Sequence, residues 1–252
     1  HYNLAGDEDS EASCLEMEYA KWQGADYCLA CTSGGYAIQS ALNVCGVKPG
    51  DMILANAYML APVPGAIQIA DMDRVVEICA THGICLFEYC AHTMGAKWRG
   101  IRLGNFGKAA AFSTQTHKHM NSSEGGLLTT NDAEIAARAV ISSGSYMLYG
   151  RHGAIPAEEV FQKVRLHSPN YSGRMDQMRA AMLRAQLPIL EENLDRWNSL
   201  YDRLHTRLSA MDGVIIPKRK QEKFYVGSSI QVRADALPKD QIPSFVDACG
   251  AR

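Results

Sequence analysis

The chain has 252 residues, 47% of them hydrophobic, with 25 basic and 27 acidic side chains and a formal net charge of −2. That balance supports a sizeable globular core and gives no electrostatic footprint for nucleic acid or an anionic membrane. The longest apolar stretch, AYMLAPVPGAIQIA, is interrupted by proline and glycine and does not read as a membrane span.

No segment pairs a basic start with an apolar middle as a secretory leader does. The eight cysteines follow no framework spacing, so reduced thiols in a cytoplasmic protein are expected. Residues 12–22, ASCLEMEYAKW, place Leu15, Tyr19 and Trp22 on one helical face and Glu16 and Glu18 outward. YCLACTSGG reads as a strand and a glycine turn. Its lone CxxC, Cys28 and Cys31, reads as two small residues on a half-buried strand, because no second ligand pair follows. YAIQSALNVCGVKPG is a helix opened by that turn, and DMILANAYML begins a second strand. ADMDRVVEICATHG is a helix with Asp71 as its cap.

ICLFEYC, KAAAFSTQ and GGLLTT are three further strands, and DAEIAARAVISSG is a helix starting near Asp132. Strands alternating with helices predict an α/β fold, a mostly parallel sheet with helices on both faces. From Ser172 to Met211 the pattern is helical; VIIP and YVGSSIQVRA then read as strands, and PKDQIPSFVDACG as a helix. This divides the chain into a large α/β part over 1–190 and a smaller α+β part over 191–252, whose sheet would be incomplete. No turn signal separates Ile67 from Gln68.

Three clusters could carry chemistry. SGGYA, residues 33–37, opens a helix, and a helix start offers free N–H groups and a positive dipole end to an anion. An ordinary strand–helix turn would look the same. FSTQTHKHMNSSEGG, residues 112–126, ends a small apolar strand in Ser113 and holds Lys118 in a polar loop. A lysine there can form a Schiff base with an aldehyde, or simply be solvated. LFEYCAHTMGAKWRG puts Glu88 and Tyr89 on opposite faces of a strand, with His92 just beyond.

In their order and spacing these clusters resemble the DegT/DnrJ/EryC1/StrS family of fold type I aminotransferases. ALNVCGVKPGDMIL, HGICLFEYCAHTMGAKWRG, FGKAAAFSTQTHKHMNSSEGGLLTTND and NYSGRMDQMRAAMLRAQL each resemble a family segment, over nearly the whole chain. The resemblance implies pyridoxal 5'-phosphate (PLP) held as a Schiff base on Lys118, which also moves the proton, with the pyridoxamine form (PMP) as intermediate. It implies a phosphate cradle from Ser113 and the backbone of Gly35 and Tyr36, His92 beside the ring, and Gln115 lining the site. Tyr58 is the nearest match to an aromatic stacked on the ring. Asn170, Ser172 and Arg174 fall in a segment that usually reaches a neighbouring subunit's cofactor, which implies a homodimer. The amino donor would be glutamate or glutamine. The acceptor would be a nucleotide-linked keto-sugar or a cyclitol ketone.

Two residues depart from the family pattern. At Tyr89 the family has an aspartate that pairs with the protonated pyridine nitrogen; a neutral phenol is a far weaker partner. Ser123 replaces a glycine whose place implies a positive φ. Three readings remain open: a working aminotransferase with an altered ring partner, a degenerate homologue that binds cofactor or sugar or pairs with an active paralogue, and another reaction of the same cofactor. The family also has more chain between the equivalents of Ile67 and Gln68 and beyond Arg252, so missing segments are expected there.

Overall fold

The computed structural model describes residues 10–53, 71–216, 223–233 and 238–250. Helix α1 (Glu11–Gln23) begins where the Ser10 side chain accepts from the Ser13 N–H, and it ends at Gly24, φ +80°. Strand β1 (Tyr27–Cys31) leads into α2 (Gly34–Val44), capped by Ser33. Helix α3 (Met72–Thr81) is capped by Asp71, as its sequence indicates. Then follow β2 (Phe87–Tyr89), the short β3 (Lys97–Trp98) and β4 (Ile101–Arg102), β5 (Ala109–Ser113) and β6 (Gly126–Thr130). Helix α4 (Ala133–Val140), capped by Asp132, runs into a wide turn over Ile141–Ser145 in which Gly144 has φ +107°. The remaining elements are α5 (Glu158–Val164), α6 (Gln177–Gln186), α7 (Leu190–Ser209), β7 (Lys223–Phe224) and α8 (Ile242–Gly250).

The main sheet has the order β1-β6-β5-β2. Its residues alternate between two cores, as a strand covered on both faces must. Cys28, Ala30, Ala110, Phe112 and Leu127 face Ala12, Leu15 and Tyr19 of α1 and Ala180 and Leu183 of α6. Leu29, Cys31, Ala109, Ala111 and Leu128 face Ala37 and Ala41 of α2 and the apolar side of α4. The small side chains of AAAFS let α2 approach closely: a Cβ on Gly34 would stand 2.8 Å from the Ser113 Cβ. Cys28 and Cys31 are buried on β1, each on its own face.

The expected mostly parallel sheet is mixed over the described strands. β2 runs parallel to β5, but β6 is antiparallel to both β5 and β1. The connection 114–125 is a direct return, and a direct return gives antiparallel neighbours; a parallel one needs a full crossover. The expected strands VIIP and YVGSSIQVRA reduce to one antiparallel bridge, Ile215 with Arg233. Gly227 explains part of this: its N–H donates to the Asn198 side chain on α7 at 2.7 Å, which takes it off any ladder. β7 instead pairs with β3, which forms a hairpin with β4 around Arg99 (φ +47°) and Gly100 (φ +84°). Tyr58 and the junction of Ile67 with Gln68, like the greater part of the DMILANAYML strand, lie outside the described residues. Leu190 and Leu194 of α7 belong to the same core as α1 and α6, so the start of the second part is packed into the first.

Glu16, read as an outward residue, is fully buried. Its carboxylate accepts from the Ala30 N–H at 2.8 Å and meets the His152 Nδ1 at 3.0 Å, while His152 Nε2 contacts Ser145 Oγ at 2.7 Å. Glu88 follows its predicted alternation and points away from the Tyr89 face. It is buried and accepts from the N–H groups of Gly104, Phe106 and Gly107 at 2.7–2.8 Å. Burial pushes its carboxyl pKa up, against the pull of those three bonds. Glu88→Ala strands these donors and should lower unfolding free energy by about 3–5 kcal/mol in urea denaturation. A loss under about 1 kcal/mol would show that the 104–107 loop finds other acceptors.

Candidate active site

Topology brings three strand ends to one edge of the sheet. β1, β5 and β2 all point the same way, because β6 is antiparallel to both β1 and β5 while β2 is parallel to β5. Their C-terminal ends lead into α2, into the 114–125 loop and into the turn carrying His92. In open α/β sheets ligands bind at such ends.

The loop is heavily bonded. The Thr114 N–H donates to Gly125 O at 2.9 Å, Ser122 N–H to Thr114 O at 2.9 Å, and Thr116 N–H to Ser123 O at 3.0 Å. The Thr114 and Ser122 hydroxyls meet at 3.2 Å. Gln186 of α6 clamps the far side, its amide accepting from Asn121 N–H and donating to Asn121 O. Gln115 shapes the near side: its carbonyl accepts from the Lys118 N–H at 2.9 Å, and its side chain from the His117 N–H at 3.1 Å. Gln115 therefore holds the lysine's backbone. Thr114, Ser122 and Gln186 are contributors that the sequence reading missed; the hydroxyls flanking the lysine were the available signal.

This loop delivers the Lys118 Nζ to 2.7 Å from His92 Nε2. Two basic groups at that distance cannot both stay charged cheaply. Burial lowers the Lys118 pKa. Burial, and then the Lys118 charge, lowers that of His92. His92 is presented by a turn anchored through the Cys90 N–H to Ala111 O at 2.8 Å, so β5 positions both partners.

The α2 start lies against Ser113, as the close approach of Gly34 shows. Ser33 Oγ accepts from the Tyr36 N–H at 3.0 Å, so that donor of the expected cradle is already engaged, while Gly35 precedes it in the first turn. The Tyr36 ring lies against Gly173, where a Cβ would stand 2.0 Å from it, and burial pushes the phenol's pKa up to about 12. Tyr89 stands at the end of β2 with 44% of its surface exposed.

Asn170, Ser172 and Arg174 are engaged elsewhere. The Asn170 side chain accepts from the Ser172 N–H at 2.9 Å, and the Arg174 guanidinium donates to Gly144 O at 2.6 Å. Among the described contacts none joins them to Lys118 or His92. Asn170 and Ser172 are exposed.

A model of the DegT/DnrJ/EryC1/StrS aminotransferase family matches residues 7–67 and 56–251, in two pieces that overlap over residues 56–67. A pleiotropic regulatory protein of Geobacillus stearothermophilus is 26% identical over 285 aligned residues, covering 94% of this chain and 72% of the relative. An L-glutamine:2-deoxy-scyllo-inosose aminotransferase of Streptomyces fradiae is 27% identical, covering 73% of this chain and 53% of the relative. The chain thus spans between half and three-quarters of the length of these relatives. The crystal structure of the S. venezuelae protein DesV, in complex with a ketimine intermediate, superposes with a TM-score of 0.78 at 24% identity, covering 98% of this chain and 74% of that one. The chain belongs to the DegT/DnrJ/EryC1/StrS aminotransferase family, and its fold is that of fold type I aminotransferases.

Ser123 has φ +68°, the strained conformation that its place in the family's glycine pattern implies. Ser123→Gly should therefore stabilise the protein by about 1–2 kcal/mol, read as a raised urea midpoint at unchanged slope. An unchanged or lowered midpoint would mean that the serine is held without strain.

Proposed function

We propose that the chain is a PLP-dependent aminotransferase that moves an amino group from glutamine or glutamate to the ketone of a sugar or cyclitol. The observation that carries this reading is the Lys118–His92 contact at 2.7 Å, at the strand ends beside the start of α2. Burial lowers the Lys118 pKa, which is the direction an amine that anchors an aldehyde cofactor needs. The α2 start and Ser113 suit a phosphate, with the helix dipole behind it. PLP, when bound, supplies an electron sink for the carbanion formed on losing a proton.

This chain's own residues then have separable tasks. Lys118 attaches the cofactor and carries the proton at Nζ. His92 Nε2 holds that amine in place, and burial lowers its pKa. Gln115, Thr114 and Ser122 hold the loop so that the amine cannot swing away. The proposal keeps a cofactor-binding part over 1–190, a smaller part over 191–252, and a homodimer in which the exposed Asn170–Ser172 segment faces the second copy. The eight free thiols suit a reducing cytoplasm. No described helix is long and apolar enough to cross a membrane. The glutamine donor and cyclitol acceptor follow by analogy from the S. fradiae relative, an L-glutamine:2-deoxy-scyllo-inosose aminotransferase.

Tyr89 favours a second reading, a homologue that binds the cofactor without full turnover. Glu88 cannot supply the missing carboxylate, since its oxygens are committed to the 104–107 loop on the other face.

Incubation with PLP followed by borohydride should leave a phosphopyridoxyl group on the Lys118 peptide by mass spectrometry, absent in Lys118→Ala. No label at saturating cofactor would sink the enzyme reading. Tyr89→Asp separates the two readings: a gain of at least about tenfold in amino-group transfer from glutamine to PLP, equivalent to ~1.4 kcal/mol of barrier, supports the homologue without full turnover, and little change supports the working enzyme. An unchanged rate would show that the ring partner does not limit this chain.

A further inference from the structure

His119, beside Lys118 in the chain, has no role in the site described above. Lys118 faces outward and is partly exposed, whereas the next side chain turns inward and is only 9% exposed. Its Nε2 lies 3.0 Å from Ser228 Oγ, and its ring packs 5.2 Å from that of Trp197. Its Nδ1 is buried without a partner. A bare lone pair costs less to bury than a stranded N–H, so the neutral ring carries its proton on Nε2 and donates it to Ser228. Burial, aided by the charges of His92 and Lys118, pushes the His119 pKa down to about 4.

The segment at the other end of this bond is seated with little freedom. Tyr225 and Val226 pack against the core. Gly227 is buried where a Cβ would stand 2.6 Å from the Tyr201 Cβ, and its N–H is held by Asn198. These contacts hold 225–227 onto α7. The Ser228 hydroxyl, on His119, ties the segment to the loop that carries the reactive lysine.

We propose that His119 and Ser228 form a latch that fixes the 225–228 segment under the inward face of the loop carrying Lys118, making His119 a positioning residue for that loop. The inference rests on the aminotransferase reading only for the consequence at Lys118; the latch itself does not depend on it. Breaking the latch frees the segment and lets water reach the inward face of the lysine loop, which weakens the burial that lowers the lysine's pKa.

The test compares Ser228→Ala and His119→Leu with Ser228→Thr and His119→Gln, which keep a hydroxyl and an amide donor. Two quantities are read: amide hydrogen exchange over 223–233, and the pH midpoint at which borohydride fixes PLP on Lys118. Ser228→Ala and His119→Leu should speed exchange at 227–230 about two- to tenfold, the worth of one hydrogen bond, and raise the midpoint. The two conservative variants should restore both. Unchanged exchange in Ser228→Ala, a surface substitution that leaves the core alone, overturns the latch. Faster exchange with an unmoved midpoint overturns the positioning role. A wild-type protein that takes up no PLP sinks the aminotransferase reading instead, and the exchange data still decide the latch.

Discussion

The 114–125 connection has to do two things with one backbone. It must return the chain antiparallel from β5 to β6, and it must hold one lysine at a chosen place. Its own hydroxyls and carbonyls satisfy the first demand: Thr114, Thr116, Ser122 and Ser123 bond across the loop, with Gln186 clamping it from outside. The second follows, because a loop so constrained has few ways to place Lys118. The amine meets His92; burial lowers the pKa of the lysine, and burial together with the lysine's charge lowers that of the histidine. The reactivity proposed for this site is a consequence of backbone geometry before it is one of side-chain chemistry.

The sheet beneath supports that geometry through small side chains. Ala109, Ala110 and Ala111 let helices lie close on both faces, and the close approach of Gly34 to Ser113 brings an anion-ready helix start to the lysine's strand. Behind the sheet, buried Glu16 joins α1, β1 and His152, while buried Glu88 gathers the 104–107 loop under β2. Both carboxylates lie in the core and both are satisfied by several donors, the condition under which a buried charge is tolerated. Because Glu88 spends its oxygens there, the consequences of Tyr89 fall on the site without compensation from its neighbour.

Much of this was legible in the sequence where a local rule applied. Asp71, Asp132 and the SGG turn mark helix starts, and period-two alternation puts Glu88 and Tyr89 on opposite faces. The glycine that the family carries at position 123 implies a positive φ there, and Ser123 has it. What escaped depends on distant partners. Glu16 sits among apolar helix positions but is buried because Ala30 and His152, far along the chain, need it. YVGSSIQVRA looks like a strand, yet Asn198 and His119 hold Gly227 and Ser228 off the ladder. The bond from the Arg174 guanidinium to the carbonyl of Gly144, 30 residues away, likewise has no local signature in the sequence.

The account stands on Lys118 being a base of lowered pKa, and a titration of that group tests it most directly. Lysine amines carrying a ¹³C-methyl label would be followed by NMR from neutral to alkaline pH, with Lys118→Arg assigning the signal. Lys118 should titrate below the ordinary lysine value of about 10.4 and move back towards it in a variant that opens the 114–125 loop, such as Thr114→Val. A Lys118 signal that titrates with the surface lysines would contradict the central claim.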